Sequence, residues 1–138
     1  MVTHLSMKQS STANDAVEVS FEERTLVLRI QASATVDRVL EAYGNLLDDP
    51  SFSFDMNSIW DLSDFDLRGV SLGEIRRFAV AIREHMPRRG SRFKAALVTS
   101  RSVDFQLLRT YLVVLRLVGD LQLRAFTDQP SAIAWLDS

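Results

Sequence analysis

FKAALVTSRSVDFQLLRTYLVVLRLV, residues 93–118, is the stretch whose reading decides the fold. After Lys94 the residues up to Ser100 carry no charge, the pattern of a strand covered on both faces of a sheet. From Ser102 the period changes. Phe105, Leu108, Leu112 and Leu115 recur at helical spacing over 102–118. A buried strand that feeds directly into a long helix is half of a strand-helix-strand crossover, the connection that parallel strands require.

The same helix carries a second apolar stripe, Leu107, Tyr111, Val114 and Val118, and at about 100° per residue its apolar arc covers well over half the circumference. Gln106, Arg109 and Arg116 make the main polar strip. One sheet cannot shield so much apolar surface. The helix is expected to be buried on two sides, by its own core together with a neighbouring helix, the N-terminal leader, a second subunit or a lipidic ligand.

Working outward, VEVSF and TLVLRI alternate apolar and polar residues on either side of EER, which reads as a hairpin over 17–30. Residues 35–47 place Val36, Val39, Leu40, Tyr43 and Leu47 on one helical face, with Ser33 or Thr35 as cap. SIWDL at 58–62 reads as a short buried strand. The segment from Ser71 to Met86 reads as a helix with Leu72, Ile75, Phe78, Ala79, Ile82 and Met86 inward, closed by Pro87 and Gly90. LQLRAF at 121–126 is a further strand, and Asp128 with Pro130 opens a last helix through Trp135 and Leu136. The predicted order is β-β-α-β-α-β-α-β-α. It implies an α/β fold with a mostly parallel mixed sheet flanked by helices, in one domain over 17–138 behind a mobile polar leader, 1–16.

Composition bounds the function. The chain has 138 residues, 46% apolar and 25% charged, with a net charge of −2, so it is a globular domain without the positive field that neutralises nucleic-acid phosphates. The absence of cysteine removes disulfides and thiolate chemistry and suits a reducing compartment. The longest uninterrupted apolar runs after the leader are five residues, as in YLVVL at 111–115, far short of a membrane span, and the N-terminus lacks a signal-peptide core. A cytoplasmic location is the expectation.

Catalytic chemistry finds little support. A serine nucleophile needs a base within reach, and the two histidines are His4 in the leader and His85 at a helix end. Asp61, Asp64 and Asp66 cluster beyond the central strand, but Arg68 and Ile75 stand where a calcium loop needs ligands, so turn-capping and pairing with Arg68 explain them. No phosphate-cradling glycine motif is present. Arg88, Arg89, Arg92 and Lys94 form a short interrupted basic run that reads as a solvated loop. Neither an enzyme, a cofactor, a metal nor a nucleic-acid partner is expected.

Three strings resemble the SpoIIAA-like group, which has the STAS fold of anti-sigma-factor antagonists and is similar in topology to CRAL-TRIO lipid-transfer domains. They are SIWDLSDFDLRGVSLGEI at 58–75, FKAALVTSRSVDFQLLRTY at 93–111 and LRAFTDQPSAIAWL at 123–136. In that group the serine before the glycine of a DSSG-like sequence accepts phosphate from a partner kinase. Here Leu72 holds that position and Ser71 stands one place earlier. Ser71 with Glu74 three residues on is also a capping box, the commoner role at a helix start, so Ser71 is a helix cap and a candidate regulatory position.

Two functions follow. The first is a non-enzymatic STAS-type interaction module that binds a regulatory protein and self-associates as a dimer through the helix at 102–118, with Leu107, Tyr111, Val114 and Val118 as contacts. The second is a carrier or sensor of a lipid or other hydrophobic small molecule, with that helix and the Trp60 and Phe65 region lining a cavity.

Overall fold

The hairpin sets one edge of the sheet. In the computed structural model, which describes residues 15–90, 92–116 and 121–138, β1 (Val17–Glu22) and β2 (Thr25–Ile30) pair antiparallel, Val17 opposite Ile30 and Glu22 opposite Thr25. Glu23 turns the chain with φ 51°, the left-handed conformation favoured in two-residue hairpin turns. Val17, Val19, Phe21, Leu26, Leu28 and Ile30 are buried while Glu18 and Arg29 stay in solvent, the period of two read from the sequence.

The chain then alternates: α1 (Val36–Leu47), β3 (Asn57–Asp61), a 3₁₀ turn (Leu67–Gly69), α2 (Leu72–Glu84), one helical turn (Met86–Arg89), β4 (Lys94–Val98), α3 (Ser102–Arg116), β5 (Gln122–Phe126) and α4 (Gln129–Leu136). The sheet order is β1-β2-β3-β4-β5, and every pair from β2 onward is parallel. The architecture is therefore α/β with a five-stranded mixed sheet flanked by helices. Right-handed crossovers between successive neighbours place α1, α2 and α3 on one face. They close the main core there, packing Val39, Leu46, Ile75, Ile82, Leu108 and Leu115 against the inward side chains of the strands. On the other face Ala132 and Leu136 of α4 cover Ile59, Ala96 and Val98. This double cover explains why β4 is apolar along its length while β1 and β2 alternate. Each large aliphatic side chain so buried contributes about 1.5–3 kcal/mol.

Local signals start the helices as expected. Thr35 Oγ1 accepts from Arg38 N, and Asp128 Oδ1 accepts from Ser131 N at 2.7 Å. Ser71 Oγ accepts from Glu74 N and Glu74 Oε1 accepts from Ser71 N, both at 3.1 Å, which completes the capping box. Two details differ. Leu72, expected inward, is exposed, because it opens α2 before the inward face begins. Pro87 does not end the helical course: it occupies the first turn of Met86–Arg89, where its missing N–H costs nothing. Ala16, assigned to the leader, is buried, and its carbonyl accepts from Gln31 N at 2.8 Å. The rest of the leader, His4 and Val118 lie outside the described residues.

Candidate functional site

Open α/β sheets bind ligands beyond the carboxyl ends of their strands. There, the segment after β3 folds back over the core and runs into the 3₁₀ turn and the start of α2. Beneath it lies a cavity of about 80 Å³ lined by residues of α1, α2, α3 and the sheet, among them Val39, Trp60, Phe65, Phe78, Tyr111 and Leu115. Its two aromatic polar groups are spent elsewhere. Trp60 Nε1 donates to Ser58 Oγ at 3.3 Å, and the Tyr111 hydroxyl donates to the Val70 carbonyl at 2.5 Å, with the Leu67 carbonyl 3.3 Å away. The chamber presents carbon to whatever occupies it.

Tyr111 is the strut that holds this roof. Its hydroxyl ties α3 to the first residue of the 3₁₀ turn and to Val70, which closes that turn and directly precedes the Ser71 cap. Burial pushes the phenol above its ordinary pKa, and the Glu74 carboxylate adds to the effect, so it remains a donor at neutral pH. Asp66 caps the same turn and pairs with Arg68 at 3.0 Å, and Arg101 Nη2 donates to the Phe65 carbonyl at 2.6 Å. Asp61 accepts from Ser63 N, and Asp64 pairs with Arg29 at 3.5 Å. The acidic cluster is thus used in turns and pairs. Among the described residues no group of three His, Asp or Glu side chains is arranged to hold a metal ion.

A second cavity, about 60 Å³, shares Trp60, Phe78, Leu97 and Leu115 with the first and is also lined by Tyr43, Phe93 and Arg89. Trp60 and Phe78 meet edge-on there at 5.7 Å. Arg89 corrects the sequence reading, which placed it in a solvated basic loop: it is 1% exposed. Its guanidinium carbon lies 3.6 Å from the Phe93 ring centre and 5.6 Å from that of Phe52. None of its three side-chain nitrogens makes a well-formed hydrogen bond among the described residues. The Tyr43 phenol is its polar neighbour, acting on the guanidinium both by charge and as a hydrogen-bond partner. Burial lowers the Arg89 pKa, opposed by Tyr43 and Asp55, while burial raises that of Tyr43, opposed by Arg89.

The backbone fixes this inward pose. Asp55 N donates to the Arg89 carbonyl at 3.0 Å, Arg92 N donates to Asp55 Oδ1 at 2.8 Å, and Gly90 takes φ 99° against Asp55. The other basic residues of the run point outward: Arg88 pairs with Asp48, and Lys94 Nζ donates to the carbonyls of Trp135 and Ser138. His85 ends α2, half-buried, edge-on to Tyr43 at 5.5 Å.

Of the residues nominated from the sequence, Trp60, Phe65 and Tyr111 come together at the first cavity. Tyr111 is buried within the protomer, Leu107 and Val114 are half-buried, and Ser71 is exposed with its hydroxyl in the capping box. The wide apolar arc of α3 is taken up by contacts with α2, β5 and the 3₁₀ turn, leaving Val103 and Val113 exposed at 67% and 58%. Arg89 was missed, although a signal existed. The inward series Ile75, Ala79, Ile82, Met86 continues at helical spacing to position 89 once Pro87 is read as first-turn rather than terminal.

No described helix is long and apolar enough to cross a membrane. Comparison with protein-family models, with curated proteins and with solved structures finds no match to this chain.

Proposed function

We propose that this chain is a non-enzymatic, STAS-type binding module that holds a small hydrophobic molecule in the chamber beneath the segment after β3. The observation that carries this reading is the chamber itself. Side chains of α1, α2, α3 and the sheet surround it, Val36, Val39 and Val70 among them, yet about 80 Å³ stays open. At about 24 cal/mol per Å³, leaving that volume unfilled forgoes about 2 kcal/mol. The Tyr111 strut, the Ser71 cap and the Arg101 bond hold the roof in place over it.

Val39→Leu tests the reading. The added carbon enters the chamber and stabilises the free protein by about 0.8 kcal/mol. n-Butanol should raise the melting temperature of the wild type relative to that of the variant, because a ligand that binds only the folded state stabilises it by mass action. An identical response of the two proteins to n-butanol would contradict the proposal.

A protein partner or a second copy of the chain is the other reading, favoured by Val103 and Val113 on the outer side of α3 with Leu107 and Val114 half-buried beside them. Sedimentation of the wild type against Leu107→Glu and Val114→Glu distinguishes it. An oligomer that both variants dissociate supports it, and a wild type monomeric at high concentration counts against it.

A further inference from the structure

Independently of what fills the chamber, we propose that the groove between the outer face of α3 and the edge strand β5 is a docking site for an acidic amphipathic helix of a partner protein. The groove has a volume of about 640 Å³, and its described lining holds three arginines, Arg109, Arg116 and Arg124, and no carboxylate. All three are exposed. Among the described residues none of them stands in an ion pair, whereas Arg29, Arg77 and Arg88 each meet an aspartate. The chain as a whole carries −2, so this concentration of positive charge runs against the net sign of the molecule. Between the arginines the groove is apolar: Phe105 is half-buried, and Val113 is 58% exposed.

The order of residues along α3 sets the kind of occupant. Phe105, Arg109, Leu112 and Arg116 follow at intervals of four, three and four, the seam spacing with which one helix packs lengthwise against another. In this seam apolar residues alternate with cations. Arg116 Nη2 donates to the Leu123 carbonyl, and the Arg124 guanidinium carbon lies 5.5 Å from the Phe126 ring centre, so two of the three side chains are already positioned. A guanidinium has five donors, which leaves Arg116 others for a carboxylate. β5 is the last strand of the sheet, with β4 on one side only, and the groove opens at that edge. Other occupants match it less well. Residues 1–14 contain no acidic side chain and join the chain ahead of β1, at the opposite edge of the sheet. A flat lipid surface meets the rim of a groove and not its floor. A phosphodiester backbone offers no apolar face to Phe105 and Val113.

Fluorescence anisotropy tests the proposal, with the full chain titrated into a labelled peptide of three repeats of Leu-Ala-Glu-Glu-Ala-Ala-Glu, which alternates leucine and glutamate at seam spacing. The same peptide with glutamine at every glutamate is the control. Wild type is expected to bind the acidic peptide at least about tenfold more tightly than the control, with affinity falling severalfold between about 50 mM and about 500 mM salt. Arg109→Glu combined with Arg124→Glu, both at exposed positions, should weaken that binding at least about tenfold and should instead favour a peptide with lysine at every glutamate. Val113→Ser should weaken the acidic peptide severalfold at unchanged salt dependence, a loss that charge alone does not produce. Equal binding of the acidic and control peptides, or no binding, overturns the proposal. If vesicles containing phosphatidylserine bind in place of the peptide, or if sedimentation shows a dimer that the double variant dissociates, a membrane or a second copy occupies the groove and the proposal falls. Should the double variant not fold, Arg109→Gln with Arg124→Gln carries the same comparison, and an unchanged affinity for the acidic peptide overturns the assignment.

Discussion

Replacing Arg89 with methionine is expected to stabilise the free protein. It is 1% exposed, and its three nitrogens make no well-formed hydrogen bond among the described residues, with only the Tyr43 phenol beside them as a partner. The Phe93 ring at 3.6 Å returns about 2 kcal/mol at most, the upper range for a desolvated cation over an aromatic face. Each buried donor left without a well-formed bond costs about 1–3 kcal/mol, so the several N–H groups that Tyr43 does not reach together exceed that return. Methionine keeps the unbranched stem against Phe52 and Phe93 and removes the charge. Exchanging buried charged groups for packed apolar side chains gains about 1–4 kcal/mol where it has been measured. Urea unfolding should show a higher midpoint at unchanged slope, with the melting temperature up by several degrees. The Tyr43 phenol should titrate higher in the variant, because it loses the guanidinium that opposes its burial. A variant that keeps its far-ultraviolet spectrum yet loses more than about 1 kcal/mol would refute the reasoning, since the guanidinium would then have partners that hold it favourably.

Tyr111→Phe deletes the donor to the Val70 carbonyl and leaves that acceptor unpaired under the roof, so unfolding free energy should fall by about 1–3 kcal/mol with faster amide exchange through residues 67–75; unchanged exchange would show that Tyr111 does not brace the turn. Gly90→Ala combines φ 99° with a Cβ 2.1 Å from Asp55 Oδ1 and should cost at least about 2 kcal/mol in the same unfolding assay. Asp128 accepts from Ser131 N, which holds its carboxyl below the usual carboxylate range. A lowered folded pKa means that its contribution is complete at neutral pH and is lost as pH falls through that value. Amide exchange at Ser131 should therefore quicken only below about pH 4, and Asp128→Asn should flatten the dependence.

Fold and site were legible in the chain to different degrees, for physical reasons. Secondary structure was readable because its causes are local: the alternation in VEVSF and TLVLRI, the S-x-x-E box at Ser71, and the charge-free run before α3 each act within one element. The parallel sheet followed from connection lengths. Trp60 and Phe65, expected through the resemblance to line a cavity, do line one together. Arg89 was hidden because its burial depends on contacts distant in sequence, the Asp55 turn and the Phe52 and Phe93 rings, and because a run of arginines ordinarily means solvent. The width of the apolar arc on α3 was read from the sequence, but what covers it depends on how α2 and the 3₁₀ turn are placed, which composition does not encode.

The central claim is that the interior chamber is a binding site. Methyl-resolved NMR titration of the full chain with n-butanol tests it most directly. The account predicts saturable shifts concentrated at Val39, Leu108 and Leu115, which line the chamber. Shifts confined to the exposed Val103 and Val113, or no saturable shift at all, would contradict it.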